Sequence, residues 1–140
     1  MTTSLLSAAR ARELVARFEQ TSVLIVGDVM LDHFVVGRVS RISPEAPVPV
    51  VEFDHDEYRV GGAGNVANNA HALGGQVNLV GLVGEDREAV VLRDHLRAGR
   101  IGCDGLVADP ARRTTTKQRI VTTRNQHVAR IDYENDADAG

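Results

Sequence analysis

The run Gly61-Gly62-Ala63-Gly64-Asn65-Val66-Ala67 carries the clearest chemistry in the chain. Three glycines opening an apolar helix let the backbone take positive φ and lie directly against a ligand. The unpaired N–H groups of the helix's first turn favour polar or anionic groups. Asn65 adds a side-chain amide at the same place. A second candidate is Asp32, close behind the apolar run Val23-Leu24-Ile25-Val26 and the pair Gly27-Asp28. A third lies between Ala111 and Ile131, where six cations (Arg112, Arg113, Lys117, Arg119, Arg124, Arg130) occur with no acid, in a chain that is acidic as a whole. On a strand, Lys117 and Arg119 share one face two residues apart, which suits gripping one phosphate or carboxylate from two directions. A charged face that protects a hairpin from edge pairing fits the same residues.

The elements that must position these groups follow from apolar periodicity. Val23 to Val26 reads as a strand buried on both faces of a parallel sheet, and Val77 to Val83 as a second. A helix is predicted from about Asn65 to Leu73, another from about Arg87 to Leu96 stopping near Gly99, and a short strand near Ile101 to Val107. Strand, helix, strand, helix, strand indicates an α/β fold. Ligands of such sheets sit beyond the carboxyl ends of the strands, which places Asp28, Asp32 and the Gly84–Asp86 loop near a common crevice. Near the amino terminus, Ala11, Leu14, Val15 and Phe18 line one side of a predicted helix that should pack against the sheet.

Two stretches read differently. One is marked by Pro44, Pro47 and Pro49 and includes the alternating run Val48 to Phe53. The other, Arg113 to Thr123 and His127 to Tyr133 around the turn Arg124-Asn125-Gln126, reads as a β-hairpin. Together (about 33–60 and 111–134) they predict a small β-sheet lid projecting over the strand ends and excluding water from a ligand held at Gly61-Gly62.

Length and composition suit one globular domain: 140 residues, 43% of them hydrophobic. A net charge of −3 gives no general electrostatic reason to bind nucleic acid or an anionic membrane. No apolar run approaches the ~20 residues of a membrane span. The single Cys103 rules out an internal disulfide and suits a reducing, cytoplasmic setting, and the five histidines lack metal-ligand spacing.

These residues resemble the ribokinase-like (PfkB) sugar kinases. The family's first signature is met by Gly61 to Ala67, with Gly74 and Gly84 at the required places, and Val23 to Asp32 is similar to its opening strand. The block Ser40 to Val51, with Thr116-Lys117-Gln118-Arg119 and Arg124-Asn125-Gln126, is similar to the kinase half of the D-glycero-β-D-manno-heptose 7-phosphate kinases of lipopolysaccharide precursor synthesis. The resemblance spans about Ser22 to Glu134. It implies a parallel sheet flanked by helices with a β-sheet lid, and transfer of the ATP γ-phosphoryl, with Mg2+, to a hydroxyl of a phosphorylated sugar. It also implies dimerisation through the lid. Carried onto this chain, Asp32, the Gly61 and Gly62 backbone and Asn65 contact sugar hydroxyls, while Lys117 and Arg119 are candidates for the sugar's phosphate.

The family's catalytic base belongs to a Gly-Ala-Gly-Asp motif that these 140 residues do not contain. The chain is therefore expected to be the amino-terminal, sugar-binding part of a kinase, inactive and without a bound nucleotide by itself, with its base elsewhere. Two rivals stand beside this reading. A non-catalytic sugar-binding or dimerising module would keep the lid without the chemistry. A dinucleotide-binding domain would use Gly62-Ala63-Gly64-Asn65-Val66-Ala67 as a Gly-x-Gly-x-x-Ala fingerprint, with Glu85 or Asp86 about 20 residues on as the ribose acid. The fingerprint should follow the first buried strand directly, and here more than about thirty residues intervene.

Overall fold

The structure, a computed structural model, describes residues 6–134. The chain runs through α1 (Ala8–Ala16), a short 3-10 turn (Phe18–Gln20), β1 (Ser22–Val26), β2 (Val29–Ile42), β3 (Pro49–Gly62), α2 (Ala63–Ala72), β4 (Gln76–Val83), α3 (Arg87–Ala98), β5 (Gly102–Ala108), β6 (Thr116–Thr122) and β7 (His127–Tyr133).

Two sheets result. The first is parallel, in the order β1-β4-β5, with α2 and α3 as the crossovers, as strand–helix–strand order requires. The second has the order β3-β2-β6-β7, in which β2 pairs antiparallel with β3 and parallel with β6, and β6 and β7 form the predicted hairpin. Asn125 turns that hairpin with a φ of 59°, a conformation asparagine tolerates better than most residues.

One core joins the layers. Ala67 of α2 and Ala89, Leu92 and Leu96 of α3 pack on Val77, Leu79, Val83, Cys103 and Leu106 of the parallel sheet. Val29, Leu31 and Val60 enter the same cluster, so the second sheet is rooted in the core of the first. Each fully buried Leu stabilises this junction by roughly 1.5–3 kcal/mol. Arg93 adds a polar tie, its guanidinium donating to the carbonyls of Cys103 (3.2 Å) and Leu106 (2.9 Å) where β5 bulges against β4.

Three expectations are corrected. Val23 to Val26 is not buried on both faces: Leu24 is 65% and Val26 70% exposed, because α2 and α3 cover only the face carrying Val23 and Ile25. α1 forms, capped by Ser7, which accepts from the Arg10 N–H, but it buries no residue and leaves Val15 60% exposed. An apolar stripe directs packing only where a surface stands opposite. The third concerns the stretch from Val23 to Asp32, which is two strands broken at Gly27-Asp28, so Asp32 lies within the second sheet.

Candidate functional site

Strand alternation builds one face of the second sheet around Asp32. On β2 that face carries Met30, Asp32 and Phe34; register places Gly61, Arg59 and Glu57 opposite them on β3 and Lys117 and Arg119 beside them on β6. The opposite face, with Leu31, His33, Tyr58 and Val60, turns toward α3 and the core. There His33 stacks on Tyr58, with centroids 4.3 Å apart, and its ring lies 2.9 Å from an Asp56 carboxylate oxygen.

Gly61 and Gly62 end β3 and hand the chain to α2. Gly62 has a φ of 58°, and the Ala63 N–H donates to the Asp28 carbonyl at 2.8 Å, so the first turn of α2 is fixed against the loop after β1. A Cβ on Gly61 would stand 2.7 Å from an Asp32 carboxylate oxygen and 2.8 Å from Met30 Cγ, closer than side chains approach. Only glycine lets Asp32 lie against the backbone here. Asn65, in the first turn of α2, is exposed.

Arg119 donates to an Asp32 carboxylate oxygen, and the two side chains are 20% and 22% exposed. The Arg119 guanidinium also lies 5.3 Å from the centre of the Phe34 ring, and Arg59 approaches the same ring at 4.8 Å. Lys117 donates to Glu134 at 3.1 Å and to Asp132 at 3.4 Å, and these carboxylates hold its ammonium pKa above the ordinary value. The acid-free run of the sequence thus ends one residue short of Asp132, and folding brings Asp32 to Arg119. The candidate phosphate cations are paired before any ligand arrives.

Asp86 and Gly84 serve the architecture. Asp86 caps α3 by accepting from the Ala89 N–H at 2.9 Å, and accepts from the Thr114 hydroxyl (2.6 Å) and N–H (2.8 Å); Gly84 N–H donates to the same hydroxyl at 3.0 Å. Burial works to raise the Asp86 pKa, but the Thr114 and Ala89 hydrogen bonds outweigh it and hold the carboxyl below its ordinary value. This knot fastens the segment leading into β6 to the end of β4, and an Asp so employed is not presented to a ribose.

Sequence reasoning missed Met30, Phe34 and Arg59. Counting two residues each way from Asp32 along a strand finds the first two; Arg59 needs the β2–β3 register. A hollow of about 520 Å³ opens farther along this face, lined among others by Phe34, Val36, His55, Glu57, Arg59 and Val121. Neither Asp32 nor Gly61 is among its lining residues, so the chemistry points to the glycine end of the face and not to this hollow.

The sequence profile of pfkB family carbohydrate kinases matches residues 20–139. The chain belongs to that family. It is 55% identical over 117 residues to the Bifunctional protein HldE of Aliivibrio salmonicida and 51% identical over 118 residues to that of Nitrobacter winogradskyi; each match covers 84% of this chain and 24% of the relative. The chain therefore spans about a quarter of the length of these relatives. Among solved structures it is similar to a carbohydrate kinase from Agrobacterium tumefaciens (TM-score 0.66, 20% identity, 80% of this chain and 35% of that one). A fructokinase from Xylella fastidiosa gives a TM-score of 0.60 at 23% identity, covering 83% of this chain and 33% of that one. The fold is ribokinase-like and the chain holds part of that domain. In this chain the glycine run closes β3 of the second sheet and does not follow β1, which removes the positional basis of a dinucleotide fingerprint.

Proposed function

We propose that this chain is the sugar-recognising part of an ATP-dependent sugar-phosphate kinase, with a heptose 7-phosphate as substrate and its anomeric hydroxyl as phosphoryl acceptor. The observation that carries the reading is the convergence of Asp32, the Gly61-Gly62 backbone and the first turn of α2 beside Lys117 and Arg119. Asp32 accepts from sugar hydroxyls, Asn65 and the helix N–H groups bind polar atoms of the same sugar, and the cations exchange their carboxylate partners for the sugar's phosphate. The similarity to the HldE proteins and the resemblance of Ser40 to Val51 to heptose kinases support the choice of sugar.

In this reading the second sheet is the lid, two lids pair to form a homodimer, and the protein works in the cytoplasm. ATP and Mg2+ supply the phosphoryl group and neutralise its charge. Among the described residues no group of three or more His, Cys, Asp or Glu is arranged to hold a metal. The base and the nucleotide cradle belong to residues other than these, and the 140 residues alone do not turn over ATP. Among the described residues no helix is long and apolar enough to cross a membrane.

The test is substrate choice in the intact protein. Asp32→Ala lowers kcat/KM for a heptose 7-phosphate by ~10- to 150-fold, the range for losing a hydrogen bond to a charged group, and Asn65→Ala, which removes a neutral partner, by ~2- to 13-fold. Lys117→Ala and Arg119→Ala lower it far more for phosphorylated than for unphosphorylated sugars. Equal losses on both substrate types refute the phosphate role, and unchanged kinetics in folded Asp32→Ala refute the site.

A further inference from the structure

The sugar-binding reading leaves one side chain at the glycine end of the face without a role. Met30 stands opposite Gly61 in the β2–β3 ladder and two residues before Asp32, on the same face. It occupies the space that the missing Gly61 side chain leaves. A Cβ on Gly61 would meet Met30 Cγ at 2.8 Å, and a Cβ on Gly62 would meet Met30 Cε at 3.1 Å. The thioether chain therefore runs across both glycines and ends over the start of α2. The same imaginary Gly61 Cβ lies 2.7 Å from the Asp32 carboxylate, so carboxylate and thioether converge on one backbone position.

We infer that Met30 is a specificity-determining residue of the sugar site: it is an apolar wall beside the acid, and the bound sugar turns carbon-bound hydrogens, not a hydroxyl, toward it. This role rests on the sugar-binding reading above and follows from hydrogen-bond capacity. A carboxylate accepts strongly from hydroxyls, whereas a thioether sulfur accepts weakly and the flanking methylene and methyl groups not at all. A hydroxyl pressed against Met30 loses water and gains no equivalent partner. Two sugars that differ only in the configuration of the carbon facing Met30 are thus told apart by a residue that makes no hydrogen bond to either. An apolar surface can reject an added hydroxyl by about 10²-fold, which sets the scale of discrimination.

A purely architectural Met30, filling space above two glycines, gives a different outcome, and substrate ratios separate the two. The intact protein is assayed with ATP on sugar phosphates that are epimers at one ring carbon, hexose 6-phosphates and heptose 7-phosphates among them, and kcat/KM is compared within each pair. Met30→Leu keeps the wall apolar and holds every ratio within about 3-fold. Met30→Gln supplies a hydrogen-bonding amide and narrows the ratio for one epimeric pair by ~10- to 100-fold, largely by raising kcat/KM for the poorer epimer. Met30→Thr, which suits a strand, takes its place if Met30→Gln does not fold. Ratios that stay fixed in the polar variants, while Asp32→Asn depresses both epimers, overturn the role of Met30 and leave the site standing. An Asp32→Asn protein with unaltered kinetics overturns the site and Met30 with it.

Discussion

Asp32 and Arg119 are each assigned a ligand group, yet in the free protein they hold one another, and the strength of that hold can be worked out. The pair runs diagonally across the β2–β6 ladder, with both side chains about four-fifths buried. Exposed pairs couple by about 0.2–1 kcal/mol, while breaking a buried one costs about 3–5 kcal/mol. An intermediate site places the coupling at about 1–3 kcal/mol. The single variants differ, because Arg119 keeps the Phe34 ring and the Lys117 carbonyl (3.4 Å) when Asp32 is removed, whereas Asp32 loses the guanidinium it holds when Arg119 is removed. Arg119→Ala is therefore the more damaging, and the double variant costs less than the sum of the singles by that coupling. Native-state hydrogen exchange on β2 and β6 amides in the intact protein reads these free energies as local opening, without requiring two-state unfolding of a long chain. Effects that add within about 0.5 kcal/mol refute the reasoning, since independent sites behave in that way.

Three further outcomes follow from other contacts. Gly62→Ala forces a side chain into a φ of 58° and against the Asp28 carbonyl; it lowers stability by about 2–4 kcal/mol, seen in thermal denaturation, and raises KM for the sugar. Asp86 has a depressed pKa in the fold, so its contribution is present above the unfolded value near 4 and is lost as pH falls through the folded one; Asp86→Asn costs about 1–3 kcal/mol at neutral pH and flattens the loss of stability in acid, measured by urea titration across pH 2 to 7 (about that window). Pairing of two lids predicts dimers at micromolar concentration in sedimentation, and a charge placed at Val36, on the hollow-lined face, weakens them; a monomer throughout refutes the pairing.

Much of the α/β part was legible because its signals are local. Asp86 before an apolar stripe and Gly99 after it bracket α3, and the apolar run of β4 lies as expected. The second sheet was legible as alternation at β6 and β7, but β2 was hidden, since its first half serves the core and its second half solvent, so no single period runs through it. The glycine run shows in the sequence as the opening of a helix; that Gly61 and Gly62 are also strand residues paired with Met30 and Val29 is set by cross-strand register, which no local pattern carries. Candidate site residues were found one by one from their types. Their pairing was not, because Asp32 and Arg119 lie 87 positions apart and nothing near either one announces the other.

The long strands of the second sheet have a mechanical consequence. β2 and β3 each run 14 residues without interruption from the core at Val29, Leu31 and Val60 to a tip at residues 43–48, a cantilever of roughly 45 Å. If this sheet acts as the proposed lid, such a beam has no pivot at its base and would bend where the ladder is already irregular, at the register shifts beside Gly37 and Val39, where Gly37 has no room for a side chain against the Glu52 carbonyl. The rate at which the tip closes would then be set at Gly37, far from Asp32 and Gly61.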